Sequence, residues 1–249
     1  MITTRVYEVK AKSILTPSQT LLRHYSLNPY VGCSFGCRYC YASYMTRYRE
    51  YKERWGSFVE VKINAPTLLE RELGRKRPGS IQMSTVCDPY QPIEKRYELT
   101  RSCLEIMAKL PYRSQYFPLY IITKSPLVLR DLDLIKRIPN VEVGFSIGTD
   151  NERIRRLFEP YSPPLQARLN ALKILKKEGI RTFVLVAPAL PMVPERLSRM
   201  LRGLVDRVYV DCMNYVWKSK NVYLQNHLEK FLTNEFCQYV KEVFMSEFS

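Results

Sequence analysis

In Gly32-Cys33-Ser34-Phe35-Gly36-Cys37-Arg38-Tyr39-Cys40-Tyr41, three cysteines stand four and then three residues apart. Thiolates are the preferred protein ligands of iron–sulfur clusters. Three of them on one short loop can hold three irons of a [4Fe–4S] cubane and leave the fourth iron for a ligand that is not protein. Gly32 and Gly36 allow the loop backbone angles that other residues resist. Structural zinc would need four ligands in two separated pairs, and no second pair exists here. Buried packing cysteines would not favour this spacing.

Outward from the triad, the composition is that of an ordinary water-soluble chain. The 249 residues are 46% hydrophobic and 25% charged, and the length suits one α/β domain. No apolar run has the length of a membrane span. The start, Met1-Ile2-Thr3-Thr4-Arg5, lacks the apolar core of a signal peptide, which predicts a cytoplasmic protein. Seven cysteines are an odd number. With three of them crowded into one loop, a disulfide framework is not expected, and a cluster site in a reducing compartment is. Lysine and arginine outnumber aspartate and glutamate by 39 to 24, a net charge of +15. Basic clusters occur at Arg75-Lys76-Arg77, at Arg153 with Arg155-Arg156, and at Lys173 with Lys176-Lys177. Such a surface attracts polyanions, nucleic acid above all. The plainer reading is a solvated charged face.

Strand-like runs at Ile81–Val86, Leu119–Thr123, Val141–Ile147, Thr182–Ala187 and Arg207–Asp211 alternate with helical patterns. The helical patterns cover Leu99–Leu110, Leu127–Ile138, Pro164–Lys177 and Pro194–Gly203. Alternation of this kind predicts a parallel sheet with crossover helices. A further strand before Cys33 brings the count to about six β/α units, too few for a closed eight-stranded barrel. The expected fold is therefore α/β, an open partial (β/α)6 barrel. One domain is expected over residues 1–249, with a barrel core at about 25–212. A C-terminal helical extension at about 222–249 is read as one long helix from Leu224 to Phe248.

The chain resembles the radical S-adenosylmethionine (SAM) superfamily and, within it, the spore photoproduct lyase-like group. The cysteine spacing carries the first resemblance. The second rests on segments in the right order: Thr85–Glu94 (TVCDPYQPIE), Ile122-Thr123-Lys124, Phe145-Ser146-Ile147, Phe158-Glu159-Pro160, Arg168-Leu169 and Val186-Ala187-Pro188. The match spans about residues 25–190. It implies a partial (β/α)6 barrel with the cluster at its mouth, and SAM as the ligand of the open iron. Reductive cleavage of SAM there would give a 5′-deoxyadenosyl radical that takes hydrogen from a substrate carbon. By the same resemblance Tyr39 packs near the adenine, and Ser84 and Thr85 approach the methionine amino group. Lys124 faces the methionine carboxylate, Ser146 the ribose or carboxylate, and Arg168 the carboxylate. Lys124 and Ser146 also end predicted strands, where barrel enzymes place functional groups. The plainer readings are a surface lysine and a strand-end cap. Glu159, followed by a proline, is read as part of a fixed turn.

The resemblance further implies a thiol near the substrate that returns a hydrogen atom to the product radical, and Cys87 is the candidate. Matching the lyase's aspartate to Asp88 puts its cysteine at Thr85. Residues two apart on a strand share a face, so Cys87 can reach the same space. The plain alternative is a packing cysteine. Cys212 ends the sixth strand and could face the barrel mouth. Cys103 and Cys237 read as structural, and His24 and His227 are too isolated for a histidine mechanism. The leading expectation is a radical SAM enzyme acting on DNA or RNA, as a repair lyase or a base-modifying enzyme. Its electron donor would be a ferredoxin or flavodoxin. The alternatives are a radical enzyme acting on a peptide, protein or small molecule, and a non-catalytic iron–sulfur protein that binds nucleic acid.

Overall fold

Short strands, most of them parallel, organise the chain. The structure is a computed structural model that describes residues 4–18, 24–48 and 53–248. Met1, Ile2 and Thr3, which enter the signal-peptide reading, lie outside them. Contacts along the backbone define two units. The first comprises Met1–Ser34 with Ala42–Val143, and the second Phe35–Tyr41 with Gly144–Ser249.

The first unit holds β1 (Arg5–Val9), β2 (Leu15–Pro17), β3 (Tyr25–Leu27), β4 (Tyr30–Val31), β5 (Phe58–Lys62) and α1 (Ala65–Leu73). These are followed by β6 (Ile81–Met83), α2 (Glu94–Tyr97), α3 (Leu99–Lys109), α4 (Pro111–Ser114), β7 (Leu119–Thr123) and α5 (Leu132–Ile135). Strands lie in the order β7-β6-β3-β2. β3, β6 and β7 are parallel, with Leu27 opposite Met83 and Met83 opposite Ile121. Leu27, Met83 and Ile121 are fully buried, so the register is fixed by the apolar face. β2 adds an antiparallel edge, and β1, β5 and β4 form a small second sheet; neither is among the strands named from the sequence. The strand expected over Ile81–Val86 stops at Met83, because Ser84 turns to a positive φ of 66°. The helix expected over Leu127–Ile138 is a 3-10 turn at Pro126–Asp131 followed by α5. There the buried Asp131 draws in Arg101 and Arg130.

β8 (Val141–Ser146) begins in the first unit and ends in the second. The second unit continues with α6 (Glu152–Phe158), α7 (Leu165–Lys177), β9 (Arg181–Val186), α8 (Pro194–Leu201), β10 (Arg207–Val210), α9 (Val216–Gln225) and α10 (Asn234–Phe248). Its strands lie in the order β10-β9-β8, with β9 and β10 parallel. Gly144 has no Cβ because the Phe183 ring occupies that place. α7 stops where expected, with Lys176 and Lys177 in its last turn and Gly179 at φ 76°.

The strands expected to form the core are all present, and the fold is mixed α/β with mostly parallel strands, of the partial (β/α)6 kind. Two further expectations are corrected. The tail is not one helix from Leu224 to Phe248. His227 adopts φ 55° and breaks it, and Thr233 starts a new helix by accepting from the Phe236 amide at 3.1 Å. Cys212 and Cys237 are joined in a disulfide with Cα atoms 5.7 Å apart. Cys212 is thus a staple between the end of β10 and α10 rather than a free thiol. Among the described residues no helix is long and apolar enough to cross a membrane.

Candidate functional site

Cys33 belongs to the first unit, Cys37 and Cys40 to the second. None of the three is in a disulfide; Cys33 and Cys37 are buried and Cys40 is half-buried. Gly32 opens the loop at φ 84°, and a Cβ there would stand 2.5 Å from the Phe58 carbonyl oxygen. Only glycine fits. Gln91, fully buried, clamps this end from both sides. Its Oε1 accepts from the Ser34 amide at 2.9 Å and its Nε2 donates to the Gly32 carbonyl at 3.1 Å. Ser34 Oγ, next to Cys33 in the chain, is buried without a hydrogen-bond partner. Among the described residues no three His, Cys, Asp or Glu side chains already gather as a metal site. What fits a cubane is the donor set, three cysteines at this spacing outside any disulfide.

The second unit holds the rest of the loop from below. The Arg38 amide donates to the Phe158 carbonyl at 2.9 Å, and the Cys40 amide to the Cys37 carbonyl at 3.2 Å. The Tyr39 hydroxyl donates to the buried Glu159 carboxylate. Burial, and then the Glu159 charge, hold the phenol well above its ordinary range. Glu159 also accepts from Arg168 and from Ser162 Oγ. Arg168 further donates to the Ser146 carbonyl at 2.8 Å, to Ser162 Oγ at 2.6 Å and to the Pro163 carbonyl at 3.1 Å. The resemblance set Arg168 against a ligand carboxylate. The structure gives its guanidinium a protein carboxylate, Glu159, and ties the cluster loop to the end of β8 through that pair. Ser146 itself is buried at that strand end.

In the first unit, the strand ends carry the remaining candidates. Asn28, just past β3, accepts from the Thr85 amide at 2.8 Å and the Val86 amide at 3.2 Å. It donates to Thr85 Oγ1 at 3.1 Å. Ser84 is buried beside this turn. Asp88 accepts from Thr123 Oγ1 and the Lys124 amide, both at 2.7 Å, and from the Tyr90 amide at 2.9 Å. Ser84, Thr85 and Lys124 therefore sit on turns braced to one another. Burial raises the Asp88 carboxyl above its ordinary value, against those donors. Cys87 lies 3.5 Å from Ser84 Oγ and packs against the apolar cluster of Tyr30, Val59, Val61 and Leu99. Burial pushes its thiol up to about 12. Asn28 and Gln91 were not singled out from sequence. Gln91 falls inside the quoted Thr85–Glu94 segment, which was the available signal.

A mostly parallel α/β fold with a three-thiol loop after its first core strand is the architecture of enzymes that do radical chemistry on SAM. The profile of the Radical SAM superfamily matches residues 27–204, and the chain belongs to that superfamily. Its members use a [4Fe–4S] cluster and SAM. An uncharacterized protein of Methanocaldococcus jannaschii is 39% identical over 75% of this chain and 68% of its own length. The radical SAM Nalpha-GlyT isomerase of Pseudomonas phage M6 is 27% identical over 76% of this chain, and the match spans 37% of that protein. A spore photoproduct lyase variant, solved with AdoMet and dinucleoside spore photoproduct, shares the fold at a TM-score of 0.63 and 17% identity. That superposition covers 88% of this chain and 66% of the lyase.

Proposed function

We propose that this chain is a radical SAM enzyme acting on nucleic acid, with Cys33, Cys37 and Cys40 as the cluster ligands. The reading is carried by three cysteines on one loop, none of them in a disulfide, with buried Gln91 braced at one end and the Tyr39–Glu159–Arg168 network at the other. When bound, the cluster and SAM supply a 5′-deoxyadenosyl radical, with methionine as the other cleavage product. Tyr39 packs near the adenine, Ser84 and Thr85 offer polar groups to the amino group, and Lys124 sets its ammonium against the carboxylate. Ser146 meets the ribose or carboxylate. Arg168 acts as a positioning residue that fixes Tyr39 through Glu159 and Ser146 through its carbonyl.

Two observations favour nucleic acid as the substrate. The net charge of +15 suits a polyanion, and a lyase of like fold is solved with a dinucleoside. A ferredoxin or flavodoxin would be the electron donor in the cell. The test is anaerobic: reconstituted protein should carry about four irons and, with dithionite and SAM, release 5′-deoxyadenosine. Cys37→Ala should lose both, and Cys103→Ala neither. A wild-type protein with its cluster intact that makes no 5′-deoxyadenosine would leave a binding protein, not an enzyme.

A further inference from the structure

Two adjoining cavities mark one face of the second unit, of about 280 and 390 Å³. Both are lined by Arg153 and Leu157, so they form one groove. Arg196, Met192, Asn226 and Phe231 extend it on one side, and Arg38, Glu152 and Arg156 on the other. Four guanidinium groups thus line the groove against two carboxylates, Glu152 and Asp150. The Asp150 side chain is fully covered and bonded to Arg196 and to the Val193 amide. The Glu152 carboxylate is engaged by Arg155, Arg156 and the Leu165 amide. The net charge of the lining is therefore positive, and Leu157, Met192 and Phe231 add apolar surface.

A cavity lined by cations together with apolar and aromatic side chains suits a polymer that alternates phosphate with a flat apolar base. The groove adjoins the cysteine loop through Arg38. Arg38 lies between Cys37 and Cys40, and its amide is held by Phe158 at the end of α6. Just past Cys40, the Tyr41 ring stacks on Tyr215 with centroids 6.3 Å apart and planes at 22°. Both rings are more than two-fifths exposed, and Trp217, two residues past Tyr215, more still.

On the nucleic-acid reading above, we propose that this groove seats the polynucleotide substrate. Arg38, Arg153, Arg156 and Arg196 contact its phosphates, and the Tyr41–Tyr215 pair offers a face to a base. The test is fluorescence anisotropy of labelled single-stranded DNA and RNA with the anaerobic holoprotein at two salt concentrations. Arg153→Glu/Arg156→Glu reverses two groove charges; Arg75→Glu/Arg77→Glu reverses two exposed charges of the first unit and serves as the control. The groove pair should weaken binding by about tenfold or more and flatten the salt dependence by about 0.7 per lost phosphate contact. The control should bind nearly as the wild type does. Tyr215→Ala should weaken binding by about fivefold or more, by loss of stacking. Should the reversal disturb α6, seen as a changed circular-dichroism spectrum, Arg153→Gln/Arg156→Gln repeats the comparison. Equal losses in groove and control variants would overturn the groove and leave the nucleic-acid reading standing. A wild-type protein that binds neither polymer at low salt would overturn both.

Discussion

Asp88 and Glu159 are buried carboxylates beside the candidate site, one in each unit, and they are held in opposite ways. Asp88 faces neutral donors: one threonine hydroxyl and two backbone amides. Glu159 faces a guanidinium, a phenol and a serine hydroxyl. Burial outweighs those donors and the weaker pull of the Lys124 charge, so the Asp88 carboxyl is raised. Arg168 supplies Glu159 with an opposite charge, and each side chain of that pair is only 1% exposed. The first arrangement braces turns, since Asp88 joins the segment after β6 to the end of β7. The second fixes a loop, since Glu159 joins Tyr39 of the cysteine motif to α7 and β8. A buried ion pair adds little over apolar packing, but losing one partner is costly because the other charge stays buried.

The largest effect should therefore come from Glu159→Gln. It keeps the shape, leaves Arg168 charged without its counterion, and should cost about 3–5 kcal/mol, read from the denaturant midpoint. Iron retention on reconstitution should fall with it, because the Tyr39 anchor weakens. Arg168→Met should be similarly harmful alone. In the double variant the two losses should be far from additive, since neither charge is then left unpaired. Additive losses would show that the two residues act apart and would remove the main contrast with Asp88.

Asp88→Asn should cost less, about 1–3 kcal/mol. Its new amide would meet a donor, the Lys124 or Tyr90 N–H, that the carboxylate accepted. The same contrast predicts a pH signature. The Asp88 carboxyl is raised in the folded protein above its ordinary 3.8. Between that value and the raised one, the folded state holds more protons than the unfolded. Its contribution to stability is thus largest at or below the ordinary value and falls as pH rises through the window. Asp88→Asn should remove this component from the stability–pH profile. A profile unchanged in that window would mean that the donors offset burial fully.

The contrast also shows what a single sequence can reveal. β7 was legible to the residue because Leu119-Tyr120-Ile121-Ile122-Thr123 alternates between buried and half-buried positions. The cysteine loop was legible because its ligands are neighbours in the chain. Glu159 was read as part of a fixed turn, and the Ser162 hydroxyl does bond its carbonyl at 3.0 Å. That Arg168 would turn to Glu159 depends on how α7 approaches that turn, which no local pattern encodes. Gln91 and Asn28 act by reaching loops 57 to 59 residues away. The Cys212–Cys237 bridge spans 25 residues, and the odd cysteine count argued against it. Strand ends were overrun at Ser84 because nothing in Ser-Thr-Val announces a positive φ.

The smallest effect in this series concerns Cys87, which sits one residue from Asp88 yet belongs to a different environment. Its side chain packs with Tyr30, Val59, Val61 and Leu99, the cluster between β4, β5 and α3. A hydrogen-atom donor needs an intact S–H, and the thiol pushed up to about 12 by burial stays protonated at neutral pH. It also needs an open path to the substrate carbon, and packing against core side chains works against one. Cys87→Ala is therefore expected to cost about 1 kcal/mol, the scale of one lost buried group with partial collapse of the gap. It should leave 5′-deoxyadenosine formation unchanged. The decisive measurement is the product distribution once a nucleic-acid substrate is in hand. Normal products from Cys87→Ala would make the cysteine a packing residue of the first unit. Trapped or diverted products, with SAM cleavage intact, would show that its hydrogen reaches the substrate radical from within that cluster.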